Sequence, residues 1–136
     1  MSVIDEVIRI EEDNSLSFGN YSVSEKQKVN DFEAFGDVYK VKTHNEITRL
    51  EKNGKLLLET VPGATVHNLK VSEKGITFLA EGVDDTQITL ELESGVSYKI
   101  YVDDVNIGKM KANLSGKINF SVELGTTAKA VHIDKK

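Results

Sequence analysis

The side chains able to do chemistry are few and lie far apart. Three histidines, His44, His67 and His132, fall in separate segments. None has a second ligand type at helix or strand spacing, so each reads as an ordinary hydrogen-bonding residue and not as a zinc ligand. His67 shares strand parity with Leu69 and Val71, and His132 shares it with Ala130; partial burial is expected of both. His44 precedes Asn45 at a turn. Two acidic clusters, Asp84-Asp85 and Asp103-Asp104 with Asn106, offer the loop oxygens that calcium requires. Neither continues into the carboxylates and glycine of a recognised calcium loop, and aspartates bond their own backbone in tight turns. Asp103, Asp104 and Asn106 are therefore a candidate cation turn, with turn formation as the competing role.

A serine nucleophile would need a sharp elbow such as Gly-x-Ser-x-Gly beside a base, whereas Asn113-Leu114-Ser115-Gly116 has the composition of a turn. Among 22 acidic residues some pair lies at a glycosidase separation by chance, so counting carboxylates identifies nothing. With no tryptophan and 7% aromatic residues, platforms for stacking sugar rings are scarce. Tyr21, and Tyr101 on the polar parity of its strand, are the candidate ligand-facing residues; an amphipathic tyrosine at a strand edge is the alternative role for each. No catalytic residue, metal or cofactor is assigned.

The elements that must position these residues are strands. In Gln87 to Leu124, Ile88, Leu90 and Leu92 occupy one parity against Gln87, Thr89, Glu91 and Glu93. Val96, Tyr98, Ile100 and Val102 then alternate with Ser97, Lys99, Tyr101 and Asp103, and Ile118, Phe120, Val122 and Leu124 with Lys117, Asn119, Ser121 and Glu123. This is the period of a half-buried strand. Apolar sheet faces need a second layer, because each Å² left wet forfeits about 25 cal/mol. An antiparallel sandwich or barrel follows.

Turn signals divide the rest of the chain. Asp13-Asn14 separates Val7–Glu12 from Ser15–Phe18, an opening hairpin whose competing reading is a short helix from Ser2. Short strands are expected at Tyr21–Ser24, Val29–Phe32 and Val38–Thr43, with at most a single coil over Ser24–Asp31. Asn53-Gly54 between Glu46–Lys52 and Lys55–Val61 is the strongest hairpin signal, since a type I′ turn needs two residues that accept positive φ. The only proline, in Val61-Pro62-Gly63, fits a type II turn and marks the expected boundary between two regions. Residues 1–62 read as a small β-sheet. Residues 67–136 hold seven candidate strands, Val66–Val71, Gly75–Glu81, Gln87–Glu93, Val96–Val102, Ile107–Lys111, Lys117–Leu124 and Lys129–Ile133. Their spacing is that of an immunoglobulin-like β-sandwich. The fold class is all-β, with helix scarce.

The 136 residues suffice for a buried core without staples, and there is no cysteine to form disulfides or thiol sites. Seventeen basic against 22 acidic residues leave a net charge of −5, with no basic block. Nucleic acid and membrane surfaces are not expected partners. No apolar run approaches the roughly 18 residues of a membrane span. Asp5, Glu6, Glu11 and Glu12 stand where a secretory leader would place basic and then apolar residues, so cytoplasmic residence, leaderless export or a mature chain whose leader has been removed is expected.

The segments Ser15-Leu16-Ser17-Phe18-Gly19-Asn20-Tyr21, Val38-Tyr39-Lys40-Val41-Lys42-Thr43 and Gly108-Lys109-Met110-Lys111-Ala112-Asn113-Leu114-Ser115-Gly116-Lys117 resemble a group of short bacterial proteins that carry the label endosialidase. The resemblance runs along the whole chain and implies polysialic acid cleavage. The residues do not support that chemistry. Sialidases grip the substrate carboxylate with three arginines, and only Arg9 and Arg49 are present. No Ser-x-Asp-x-Gly-x-Thr-Trp repeat occurs, and the chain is too short for a six-bladed propeller. The expectation is a non-catalytic β-protein that works through its surface, as a homo-oligomeric assembly subunit or with a protein partner. Carbohydrate binding or processing, and an accessory role in a phage or cell-surface apparatus, are the alternatives.

Overall fold

A computed structural model describes residues 3–135 of the chain. Thirteen strands account for its regular structure: β1 (Ile8–Ile10), β2 (Leu16–Phe18), β3 (Gln27–Ala34), β4 (Asp37–Thr43), β5 (Thr48–Lys52), β6 (Lys55–Val61), β7 (Thr65–Ser72), β8 (Gly75–Glu81), β9 (Asp85–Glu91), β10 (Ser97–Val102), β11 (Val105–Lys111), β12 (Lys117–Glu123) and β13 (Lys129–Lys135). They form a seven-stranded sheet in the order β1-β2-β7-β8-β13-β10-β11 and a six-stranded sheet in the order β12-β9-β6-β5-β4-β3, packed as a sandwich. Every pairing is antiparallel.

Local chemistry sets most of the turns. Asn53 and Gly54 (φ 52° and 81°) and Asp103 and Asp104 (φ 49° and 65°) close two-residue hairpins in the left-handed region that matches strand twist. Phe35-Gly36 closes β3 onto β4 in the same way (φ 55° and 81°), a turn the sequence does not announce because Phe35 is not a turn-former. Asn14 (φ 63°) serves the β1–β2 hairpin; the helix considered from Ser2 begins outside the described residues, and from Val3 onward the opening segment is not helical. Tyr21–Ser24 is loop where a strand is expected, and the single coil considered near Ser24–Asp31 is extended as the start of β3. Gly63 does not adopt the positive φ that a type II turn needs at its third position, so the turn there is not the one expected; the Val61–Pro62 bond is cis.

The core lies between the sheets. Val41, Leu50, Leu58, Ile88 and Leu90 from one face meet Phe18, Val66, Ile76, Ile100 and Ile133 from the other, all essentially without solvent contact. Two bulges keep this pattern in phase. In β3, Val29 and Phe32 both pack on the core around Asp31 (φ 55°), and in β7, Val66 and Leu69 both point inward around Asn68 (φ 56°). Each bulge inserts one residue and so reverses the parity of what precedes it.

The two regions expected at 1–62 and 67–136 are not separate layers. β2 pairs with β7 and β6 pairs with β9, so both sheets contain strands from both regions. The reason lies at Pro62-Gly63-Ala64, where the chain crosses from one sheet to the other instead of leaving a finished domain. Thr48 Oγ1 donates to the Ala64 carbonyl (2.8 Å), accepts from the Ala64 N–H (3.1 Å) and takes a hydrogen bond from Thr43 Oγ1 (2.7 Å). Thr43 Oγ1 in turn accepts the Asn20 N–H (2.9 Å), and Thr65 Oγ1 donates to the Gly19 carbonyl (3.0 Å). All three threonines are fully buried.

Two substitutions test this arrangement. A Cβ on Gly63 would run into the His44 carbonyl, so Gly63→Ala is expected to lower the stability by about 1–3 kcal/mol, read as a lower urea midpoint at unchanged slope. Thr60 Oγ1 is the one buried side-chain oxygen among the described residues without a partner. Thr60→Val is therefore expected to raise the midpoint, by about 1 kcal/mol, because it removes an unmet hydroxyl at equal volume.

Candidate functional site

The polar residues of interest gather on the outer face of the seven-stranded sheet. The Asn68 bulge turns His67 outward, away from Leu69 and Val66, which corrects the parity expected from the sequence. His67 is nonetheless buried. Its Nε2 lies 2.7 Å from Glu81 Oε1, and Glu81 is only 1% exposed. The Tyr21 hydroxyl donates to Glu81 Oε2 (3.2 Å) from the loop after β2. Burial first, and the neighbouring Glu81 carboxylate second, push the Tyr21 phenol up from its usual value. Tyr21 thus faces a carboxylate of its own chain.

A second network lies beside it. The Asn68 N–H donates to Ser17 Oγ (3.0 Å), Asn68 Nδ2 donates to Ser15 Oγ (3.0 Å), and Ser17 Oγ donates to Glu11. Arg9 Nε donates to Glu11 Oε2 (3.2 Å). The Ser17 hydroxyl holds the Glu11 carboxyl below the usual range against the opposing effect of burial, with Arg9 adding to the depression. Asp13 is held down chiefly by the Ser15 hydroxyl, and Lys70 Nζ lies 3.5 Å from it.

Further across the sheet, register aligns Tyr101, His132, Thr77 and Lys70 in one transverse row. The Tyr101 and His132 rings are 5.7 Å apart at 38°, and His132 Nε2 is 2.6 Å from Asp134 Oδ1. His132 is about half exposed (48%), more open than the partial burial expected of it. Between this row and the Asn68 bulge is a depression of about 330 Å³ lined by Asp13, Asn68, Lys70, Thr77, Leu79 and His132. His44, half-buried, sits with its Nδ1 3.3 Å from Asn45 Oδ1.

A larger cleft of about 860 Å³ opens between the sheets beside the Asn53-Gly54 and Glu73-Lys74 hairpins. Leu57, Leu92 and Tyr98 are among its lining residues, and the Tyr98 hydroxyl accepts the Glu93 N–H (3.0 Å). At its rim Lys135 Nζ is 2.5 Å from Glu93 Oε2, and that contact raises the lysine above its usual value. Glu93 is 60% exposed, so this pair is solvated.

The candidate cation turn closes the β10–β11 hairpin. Asp103 Oδ1 accepts the Ala130 N–H (2.9 Å) and Asn106 Oδ1 accepts the Gly108 N–H (2.9 Å). Both oxygens therefore serve the backbone, and among the described residues no group of three or more histidine, aspartate or glutamate side chains is arranged around a cation position. Glu81 is the residue that sequence reasoning misses. Its carboxylate follows Ile76, Phe78 and Ala80 and adjoins Gly82, a context with no sign of a buried acid. Comparison with protein-family models, curated proteins and solved structures gives no match.

Taken as chemistry, His67, Glu81 and Tyr21 satisfy one another, and Ser17 is buried with its proton on Glu11. Removing Glu81 strands both its partners, so Glu81→Ala is expected to lower stability by about 2–4 kcal/mol, while Tyr101→Ala leaves the urea midpoint within about 0.5 kcal/mol. Because Glu11 titrates lower in the folded chain than in the unfolded one, the unfolded chain holds more protons in the acid range. Its contribution is present at neutral pH and is lost as pH falls through the lowered value. Thermal melts between pH 7 and pH 3 should accordingly show a shallower acid loss in Ser17→Ala than in the parent chain.

Proposed function

We propose that this chain acts through its surface, as a non-catalytic binding or structural β-protein and as the subunit of a homo-oligomeric assembly. The observation that carries this reading is the separation of reactive groups from exposed ones. His67 and Glu81 are turned on each other beneath the surface, while the side chains offered to solvent at loops and edges include Leu114 (98% exposed), Val83 (65%) and Val105 (62%). Groups placed in this way favour contact over reaction.

Carbohydrate recognition is the second reading. The Tyr101–His132 ring pair, half-buried at the tyrosine and exposed at the histidine, favours it, as does the resemblance to proteins labelled endosialidase. Against sialic acid stand the two arginines, each already paired: Arg9 with Glu11 at 3.2 Å and Arg49 with Glu59 at 3.0 Å. An immunoglobulin-like kinship of residues 67–136 and an accessory role in a phage or cell-surface apparatus belong to the same proposal and rest on strand spacing and on the resemblance.

Light scattering coupled to size-exclusion chromatography is expected to give a mass that is a multiple of the 15.1 kDa chain. A strict monomer at high concentration removes the assembly part. On a glycan array the parent chain should be blank; a signal abolished by Tyr101→Ala, or release of sialic acid from polysialic acid, would establish the second reading instead.

A further inference from the structure

The two sheets end in four strands, β1 and β11 in one and β3 and β12 in the other. Two of these edges are obstructed. β1 has three residues, and β3 is broken by the Asp31 bulge. On β12 the preceding loop covers the open side at Lys117, where the Asn113 N–H donates to the Lys117 carbonyl (3.1 Å) and the Lys117 N–H donates to Asn113 Oδ1 (3.0 Å), and the rest of that strand presents the mixed side chains Asn119, Ser121 and Glu123.

β11 remains open. The Ala112 N–H donates to the Val96 carbonyl (2.9 Å), which fixes the phase of the ladder: Met110 faces β10 with its amide, and Lys109 and Lys111 direct theirs to the free side. Lys109 lies directly opposite Lys99 in a pair of the closely approaching kind, and Lys111 lies opposite Ser97. Like charges placed across a strand pair repel. None of these three lysines forms an ion pair with a described residue, on a chain whose net charge is −5.

We propose that β11 is a strand-addition site for an extended acidic segment of another protein. The incoming strand would exchange backbone hydrogen bonds with Lys109 and Lys111 and set alternate carboxylates over Lys99, Lys109 and Lys111. The same lysines reject a second copy, because antiparallel pairing of two β11 strands centred on Lys109 or between Lys109 and Lys111 sets lysine against lysine. Val105 and Ile107, 62% and 47% exposed, lie on the other side of the bulge, towards the Asp103-Asp104 turn, and outside the row of lysines. This inference rests on the surface-acting reading above and names the partner chemistry of one edge.

The test uses the intact chain and a fluorescent synthetic ten-residue peptide alternating Glu and Thr, with a Lys and Thr peptide of equal length as control. Fluorescence polarisation should show binding of the acidic peptide only, weakened about tenfold by Lys109→Glu with Lys111→Glu. Lys109→Pro, which removes an amide that makes no bond within the sheet, should bind more weakly than Lys109→Ala by about threefold, separating backbone pairing from charge. Hydrogen exchange should slow at the Lys109 and Lys111 amides. Failure of the acidic peptide to bind, equal binding of the basic peptide, equal affinities of the Ala and Pro variants, or protection on another edge each overturns the proposal. A blank peptide result beside an oligomer by light scattering removes this edge alone, whereas a blank result beside a strict monomer removes the assembly reading as well.

Discussion

Thr48 holds both backbone groups of Ala64 with one hydroxyl, in a place no water reaches. An unmet amide or carbonyl at that position would be expensive, by about 1–3 kcal/mol for each group. The crossover from β6 to β7 can therefore run through the interior only because β5 begins with a threonine. Thr43 and the Asn20 N–H extend the same chain of hydrogen bonds to the end of β4 and to the loop that leaves β2. Three stretches remote in sequence, Gly19-Asn20, Thr43 to Thr48 and Ala64-Thr65, thus meet at one end of the sandwich. These bonds tie residues before and after Pro62 to one another, although the strand pattern reads as two regions.

That difference shows what a single sequence can and cannot convey. Strand positions were legible because side-chain alternation and turn chemistry are local: all seven strands of the second region are present, and Asn53-Gly54 and Asp103-Asp104 turn where expected. Strand partners were not legible, because the pairing of β2 with β7 depends on groups some fifty residues apart, such as Asn68 and Ser17. A proline beside a glycine looks the same whether the chain is leaving a domain or changing sheets. The hydroxyl that distinguishes the two lies at Thr48, within another strand.

The bulges explain the misread site. Val29-Asn30-Asp31-Phe32 and Val66-His67-Asn68-Leu69 have the same form, with an aspartate or asparagine at positive φ between two core residues three positions apart. Asparagine and aspartate tolerate that conformation better than other side chains with a Cβ. Strict alternation assigns His67 to the face of Leu69; allowance for the bulge assigns it to the face of Glu81. The sign was present in the sequence, since such a residue flanked by a valine two positions before and an apolar residue after is poorly explained by period two. Glu81 was not legible, because the lid that buries it comes from Tyr21 across sixty residues.

The same economy of polar groups bears on the edges. Where the chain has a free strand side it usually blunts it: by length at β1, by a bulge at β3, by the Asn113 loop at the Lys117 end of β12. β11 is bulged at Ile107, and beyond that bulge only lysine guards it; lysine is a selective guard. A bulge or a covering loop excludes every incoming strand where it lies, whereas a row of ammonium groups excludes those of like charge and attracts those of opposite charge. The repulsion between Lys99 and Lys109 is carried in the isolated chain with no described acid paired to either. An acidic strand beside them would relieve it and would at the same time satisfy the backbone groups that solvent now holds. A fold that has buried its histidine, its carboxylate and its serine against one another keeps its adaptable chemistry at that margin.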